Sequence, residues 1–519
     1  MENTALNTNS KTFKNLLDFI KILCLFVFCL VIYQTGFDNG FVNWDDPAFF
    51  NNEKIQHFSK ETVLTIFTSV NERMYQPFTY FCFLLINQIE LLNPSYFHIF
   101  SFLLHFVNSL LVMVFCQQLL SSKTRAFLIA LLFASHPLQV EAVSWISATS
   151  TVIFSFFFLT ASISYVRYLK QKNQAIVWYF ISIICFTLGV FSKVQIVALV
   201  AVLPLLDWFF LGPGTFQKKR ILDKLPYALI SFASVYIHLQ FQQGGTPPLN
   251  FIDENSSNYL IELLIPYQLM WYPIKILFPF QLATLYDFPN QLHWIHYLAF
   301  IPVFVSLWFI ANPKTNKVLI FGLLFYVANI VLSTHIVSIF VAPYADRYAY
   351  ISMLGIFIFV FSLVPQKYNR KFYVIVFLMI SINTALSIKQ VKTWENSFEL
   401  WTHNLRYNNN ANSYIGLGNY YKEKGDFEAA EKAYTKAIAS EHVSTDNFKY
   451  LGHCLLGEMH QQNHMFSRAE KNYLKALAIN DSNAYLYLAL EALYQKTQRY
   501  EEALKMHEKA VSLGAKATN

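Results

Sequence analysis

The chain has 519 residues, 55% hydrophobic and only 14% charged, where soluble domains carry roughly 25% charged residues. This composition excludes a wholly soluble protein and puts most of the chain in lipid. The net charge of +7 is no sign of nucleic acid, because the excess Lys and Arg lies in short loops between apolar runs. The six cysteines show neither metal spacing nor a disulfide framework.

A bilayer span needs about 20 apolar residues. In chain order the candidates are 15–35, 95–120, 126–144, 148–167, 175–192, 194–211, 225–242, 292–311, 317–335, 347–364 and 371–388, eleven in all. The first has no A-x-A-like cleavage site after it and is expected to be an uncleaved signal anchor. Two further apolar stretches, 78–91 with Asn87, Gln88 and Glu90, and 258–280 with Glu262, Pro266, Pro273 and Lys275, are interrupted. They are expected to be interfacial or re-entrant helices. Beyond about residue 390 the chain turns polar and rich in Ala, Glu, Lys and Tyr. The expected fold is all-α: a membrane helical bundle over 1–389, whose first outer loop is 35–77, then a linker over 390–410 and helical repeats over 411–519.

Loop charge orients the bundle. With the N-terminus in the cytoplasm, the inner loops hold most of the basic residues, among them Lys11, Lys14, Lys123, Arg125, Lys218, Lys219, Arg220, Lys314, Arg370 and Lys371. The outer loops hold few: Lys54, Lys60, Arg73, Lys193, Lys275 and Arg347. Eleven spans also put the C-terminal tail outside. The unusual polar clusters then share the outer side: Asp45-Asp46, Tyr75-Gln76-Pro77, His136 to Glu141, Lys193, Asp287 and Asp346-Arg347.

The tail repeats itself. Phe466, Ala469, Tyr473 and Ala476 recur 34 residues later as Tyr500, Ala503, His507 and Ala510, the period and small/aromatic spacing of tetratricopeptide (TPR) repeats. An earlier unit reads Gly418, Tyr421, Phe427, Ala430, Tyr434, Ala437, and its wider spacing implies a short insertion near 441–446. About three repeats make the minimum stable stack. Such arrays bind peptides or proteins in a concave groove, although a structural cap has the same pattern.

Six motifs run in order through the membrane part: Asn43-Trp44-Asp45-Asp46, Tyr75-Gln76-Pro77-Phe78-Thr79, His136-Pro137-Leu138-Gln139-Val140-Glu141, Ser192-Lys193 through Asp207-Trp208, Ala345-Asp346-Arg347-Tyr348, and Trp394-Glu395-Asn396-Ser397 leading to Trp401. With the repeats, they resemble the transmembrane-and-TPR proteins related to protein O-mannosyltransferases, of the membrane C-type glycosyltransferase (GT-C) fold. The chain departs from that pattern at Lys193, followed by Val194 rather than Pro, and in its few repeats, where animal relatives carry many. The resemblance implies inverting transfer of a sugar, mannose in the eukaryotic relatives, from a polyisoprenyl-phosphate donor to an acceptor hydroxyl on the outer face, with a first-loop aspartate as base.

Such a transfer needs a carboxylate to take the acceptor's proton, and Asp46 or Asp45 is the candidate. An Asx-turn or helix cap ahead of Pro47 would also account for the pair. The departing phosphate needs positive charge where negative charge develops. Arg347 suits this through its bidentate fork, with Asp346 expected to orient it; a local surface pair is the plain alternative. Lys193 lies on the same side as a second phosphate ligand or a snorkelling interface lysine. His136 and Glu141 are expected to bind sugar hydroxyls or orient the aspartates, or else to cap a helix end. Trp44 and Trp145 are placed to stack on a sugar ring, although interfacial-belt tryptophans are the commoner explanation; Tyr75 and Gln76 are expected as further substrate contacts. The loop from 244 to 290 is placed to act as a lid.

No cofactor is expected beyond the lipid-linked donor. His with carboxylates can hold a divalent ion, but a monophosphate leaving group does not require one. The expected partners are the donor, membrane lipids and an acceptor protein or glycolipid held by the repeats, with no nucleic acid. The AT-rich style of the composition points to a bacterial inner membrane with the active side periplasmic; in a eukaryote it would be the ER lumen. Two rivals remain: a surface-glycan oligosaccharide ligase or polymerase, which the acidic first loop disfavours, and a non-catalytic membrane anchor for a TPR scaffold.

Overall fold

The protein is represented by a computed structural model, which describes residues 2–50, 52, 55–69, 75–120, 122–171, 173–212, 218–243, 258–286, 293–312, 314–334, 344–364, 370–440 and 445–515. Every regular element among them is helical, as a backbone that satisfies itself inside lipid requires unless it closes a barrel. The chain divides into two compact units. One comprises Met1–Thr246, Asn258–Thr284 and Leu292–Asn396; the other comprises Pro247–Ser257, Leu285–Gln291 and Ser397–Asn519.

In the first unit, seven helices among the described residues are long and apolar enough to cross a membrane: Leu16–Gly36, Pro94–Leu119, Ile146–Lys170, Ala175–Ser192, Val194–Leu211, Asp346–Leu363 and Arg370–Trp394. Lys123–Ala134 and Pro137–Ser144 meet the test only as a pair, bent by 57°, because Pro137 cannot continue the helical hydrogen-bond ladder. The other three expected spans are helices that are shorter or less apolar: Leu225–Gln243, His296–Ala311 and Lys317–Ser333. The expected eleven thus becomes seven, or eight with the bent pair, among the described residues. Of the interrupted stretches, the first is the short helix Pro77–Asn87 and the second the helix Asn258–Leu277 with both prolines inside it.

The bundle is pinned by polar side chains that lipid would not solvate. Ser101 Oγ pairs with Thr149 Oγ1 at 2.9 Å, and His105 Nδ1 with the Tyr350 hydroxyl at 2.7 Å. Asn108 Nδ2 donates to the Val152 carbonyl at 2.9 Å. The Arg125 guanidinium donates to the carbonyls of Phe361 and Val364 at 3.1 and 2.9 Å, closing the exposed C-terminal end of the helix Ala349–Leu363. That helix crosses Lys317–Ile330 backbone to backbone: a Cβ on Gly355 would lie 2.5 Å from Tyr326 N, and one on Gly322 would lie 2.7 Å from Gly355 O. Phe180, Ile184, Phe304, Trp308 and Phe377 face outward, as they do in a bundle whose solvent is as apolar as its core.

The second unit begins inside the expected linker. Residues 390–410 are largely helical, with the last span ending at Val391, a turn Lys392–Trp394 and a helix Ser397–Leu405. Three helix pairs follow, Ala411–Glu423 with Phe427–Ala439, Thr445–Gln462 with Phe466–Ile479, and Ala484–Lys496 with Tyr500–Ser512. The repeat signature has a packing cause: Ala430, Tyr434, Leu456 and Met459 share one core cluster, and Gly418 and Gly457 leave room for the rings of Tyr434 and Tyr473. The insertion expected near 441–446 lies largely outside the described residues.

Candidate active site

The loop after the first candidate span begins with the turn Gln34–Gly36 and reaches the aspartate pair just before the short helix Pro47–Phe50. Asp46 is buried, at 1% exposure, and its carboxylate does not cap that helix. One oxygen accepts from Val42 N–H at 2.9 Å. The other accepts from Ser147 N–H at 3.0 Å and from the Ser147 hydroxyl. Burial pushes the Asp46 carboxyl up to about 6, with the neighbouring Asp45 charge adding to it and the hydrogen bonds from Ser147 and Val42 opposing it. Asp45 is exposed, and its charge is felt by Arg347.

Ser147 follows Trp145 at the sharp bend where the short helix Val140–Ser144 gives way to the next span. The Trp145 ring stacks on Trp44, with centroids 4.6 Å apart and planes 15° apart, and on Trp394, at 5.3 Å and 17°. The Arg347 guanidinium lies 5.2 Å from the Trp145 ring centroid and 5.2 Å from that of Tyr348, within cation–π range. One tryptophan thus touches both the acidic loop and the arginine.

Arg347 is held by Glu141, 206 residues earlier in the chain. Its Nη1 pairs with Glu141 Oε1, and its backbone N–H donates to Oε2 at 2.7 Å. Glu141 is nearly closed off, at 3% side-chain exposure, while the arginine keeps 17%, so the pair leaves part of the guanidinium open. Glu141 is thus an orienting carboxylate for Arg347 that the sequence reading assigned elsewhere. Asp346 itself is buried and acts electrostatically on Tyr272 and Lys275.

Lys193 occupies the extended residue that ends the span Ala175–Ser192. Its Nζ donates to Thr151 Oγ1 at 2.7 Å. Burial and then repulsion from Arg347 push it down to about 7, against the pull of Glu141. Lys193, Glu141 and Arg347 form one electrostatic group. Thr79 Oγ1 donates to the Ser192 carbonyl at 3.1 Å, which brings the start of the helix Pro77–Asn87 beside Lys193. Gln76 is the residue before that helix, and the Tyr75 hydroxyl donates to the Phe67 carbonyl at 2.8 Å.

His136 has both ring nitrogens engaged with backbone. Its Nδ1 accepts from Leu138 N–H at 3.2 Å, so Nε2 carries the proton and donates to the Ile276 carbonyl at 2.9 Å. The imidazole caps the turn Pro137–Gln139 and braces it against the helix Asn258–Leu277. Among the described residues no three His, Cys, Asp or Glu side chains converge as metal ligands. Of the loop expected as a lid, 244–290, residues 258–286 are described and begin with the helix Asn258–Leu277; residues 244–257 and 287–290, Asp287 among them, lie outside the described residues.

Sequence reading gave no role to Ser147 or Thr151, and quoted Trp394 only within a motif. None of the three has a spacing signal; each matters through a partner about 40 to 350 residues away.

A tetratricopeptide-repeat family model matches residues 411–441, and a second matches 486–517. Human protein O-mannosyl-transferase TMTC3 is 23% identical over 505 residues, covering 85% of this chain and 54% of that protein. Over most of its length this chain is similar to the TMTC protein O-mannosyl-transferases. Human TMTC2 is 28% identical over 193 residues, 35% of this chain and 23% of that protein. Mouse TMTC1 is 36% identical over 104 residues, 20% of this chain and 11% of that protein. The chain spans about half the length of TMTC3. No solved structure matches.

Proposed function

We propose that this protein is an integral-membrane glycosyltransferase that moves mannose or a similar hexose from a polyisoprenyl-phosphate donor to an acceptor hydroxyl, protein Ser or Thr among the candidates, on the non-cytoplasmic face. One observation carries the reading. The acidic loop and the Glu141–Arg347–Lys193 group meet around Trp145, which is two residues from the Asp46 ligand Ser147 and lies under the Arg347 guanidinium. The names of the relatives point the same way.

Base and anchor divide between the two aspartates. Both Asp46 oxygens are occupied by fixed donors in a buried setting, so Asp46 pins the loop to Ser147. Asp45 is exposed and takes the acceptor's proton. The acceptor oxygen attacks the anomeric carbon from the face opposite the phosphate, which inverts that centre. The bond from that carbon to the phosphate oxygen breaks, and the oxygen keeps the electron pair. Arg347 and protonated Lys193 meet the growing phosphate charge. Trp44 offers a ring face to the sugar; Tyr75 and Gln76 line the approach; Glu141, His136 and the buried Asp346 hold the frame. The repeats present the acceptor, and the active face is periplasmic in a bacterium.

The test uses purified protein in nanodiscs with a panel of radiolabelled polyprenyl-phosphate monosaccharides and a periplasmic extract as acceptor. Transfer from one donor, reduced ~10²–10⁴-fold in Asp45→Asn, is expected. Transfer from no monophosphate donor, with extract-protein binding intact in Asp45→Asn and Asp46→Asn, would establish the scaffold instead. Transfer only from a pyrophosphate-linked glycan would establish the ligase or polymerase.

A further inference from the structure

The acidic loop is fastened twice. One fastening is Asp46 to Ser147. The other lies at the far end of the membrane unit, where the last span passes into the turn Lys392–Trp394. Gly40 N–H donates to the Glu395 carbonyl at 2.9 Å, and Asn39 Nδ2 donates to the Val391 carbonyl at 3.3 Å. Trp394, 1% exposed, lies parallel to Trp44, with 6.5 Å between centroids and 3° between planes, and also stacks on Trp145. Gly36 is so close to the strap that a Cβ there would lie 2.9 Å from Val391 Cγ1. Within this second fastening, His98 Nε2 donates to the Asn39 carbonyl at 3.1 Å.

Two of these contacts reach the loop through backbone carbonyls of residues 391 and 395, so their geometry depends on the path of the strap rather than on its side chains. Trp394 sets that path. Its indole N–H is buried and has no hydrogen-bond partner, so what it contributes is the stacked ring. The ring holds Trp44, and Trp44 precedes Asp45 in the chain.

We propose that Trp394, with the strap Val391–Glu395, is a positioning element for the acidic loop: the C-terminal end of the bundle sets where Asp45 stands relative to the donor. This rests on the transferase reading. It makes the site a composite of the first loop, the segment around Trp145 and the strap.

The test reads the loop both with and without chemistry. The full-length protein in nanodiscs is compared with Trp394→Ala, Trp394→Phe, Gly36→Ala and Gly36→Ala/Val391→Ala. Hydrogen exchange of residues 37–46 is expected to quicken in Trp394→Ala and Gly36→Ala. It is expected to return to the wild-type rate in Trp394→Phe, which keeps a stacking ring, and in the double variant, which removes the clashing methyl. In the transfer assay Trp394→Ala is expected to lose ~10²-fold in kcat, the cost of a misplacement of about 1 Å, with donor KM unchanged. Unchanged exchange in both Trp394→Ala and Gly36→Ala would overturn the proposal, as would a loss in KM alone. If the wild type transfers nothing while the exchange pattern holds, the transferase reading fails and the strap stands.

Discussion

Replacing Arg347 with Ala is expected to do two separable things. Glu141, 3% exposed in its side chain, would lose its counter-charge, and an uncompensated buried charge costs about 3–5 kcal/mol. Loss of the guanidinium from over Trp145 removes a further contact worth ~0.5–2 kcal/mol. Separately, removing one preorganised donor from a developing oxyanion slows the chemical step ~10²–10³-fold. The pair Glu141→Leu/Arg347→Met tells these effects apart, because swapping a buried ion pair for apolar groups of similar volume is often neutral or stabilising. Thermal unfolding in detergent should show a large loss for Arg347→Ala and near-recovery in the double variant. Initial transfer rates should stay low in both. A double variant that regains both stability and rate would refute the catalytic role and leave Arg347 a structural partner of Glu141. An Arg347→Ala protein that unfolds like wild type would refute the reading of the buried pair.

Four further outcomes follow from the structure. Asp46→Asn keeps one acceptor for Ser147 but turns the group facing Val42 N–H into a donor, so residues 37–46 should exchange faster and kcat should fall by less than in Asp45→Asn. Because the folded Asp46 carboxyl is pushed up to about 6 from an unfolded value near 3.9, the folded state binds this proton more tightly. Its contribution should therefore improve stability as pH falls from about 6 toward 4, a trend that thermal unfolding should find missing in Asp46→Asn. Lys193, pushed down to about 7, loses its charge as pH rises through that value. Donor KM should climb between pH 6 and 8 in the wild type and stay flat in Lys193→Arg, whose guanidinium remains charged. Finally, Gly355→Ala forces a methyl to 2.5 Å from Tyr326 N; it should cost about 1–3 kcal/mol of stability, read as a lower unfolding temperature, while a temperature equal to wild type would show that the helix crossing gives way freely.

Much of the architecture was legible in the chain because it depends on local periodicity. Apolar runs of membrane length have to become helices, since lipid offers the backbone no other partner unless it closes a barrel. Ala, Gly and Tyr at fixed offsets have to pack as repeats, since only small residues admit the rings of Tyr434 and Tyr473. The span count was less legible. Hydropathy averages over a window and does not see that Pro137 bends one candidate by 57° or that another is the shorter helix His296–Ala311.

The sequence by itself identified the ingredients of the site: an acidic pair outside the first span, a basic residue near each of two later spans, and a glutamate after a His-Pro turn. Only the tertiary structure decided which of them meet. That Asp46 is held by Ser147, that Arg347 answers to Glu141, and that Trp394 shares a stack with Trp44 are all pairings across about 100 to 350 residues. No local propensity encodes such pairings. A carboxylate's neighbours set its proton affinity and accessibility, and in a helical bundle those neighbours are chosen by which spans pack together.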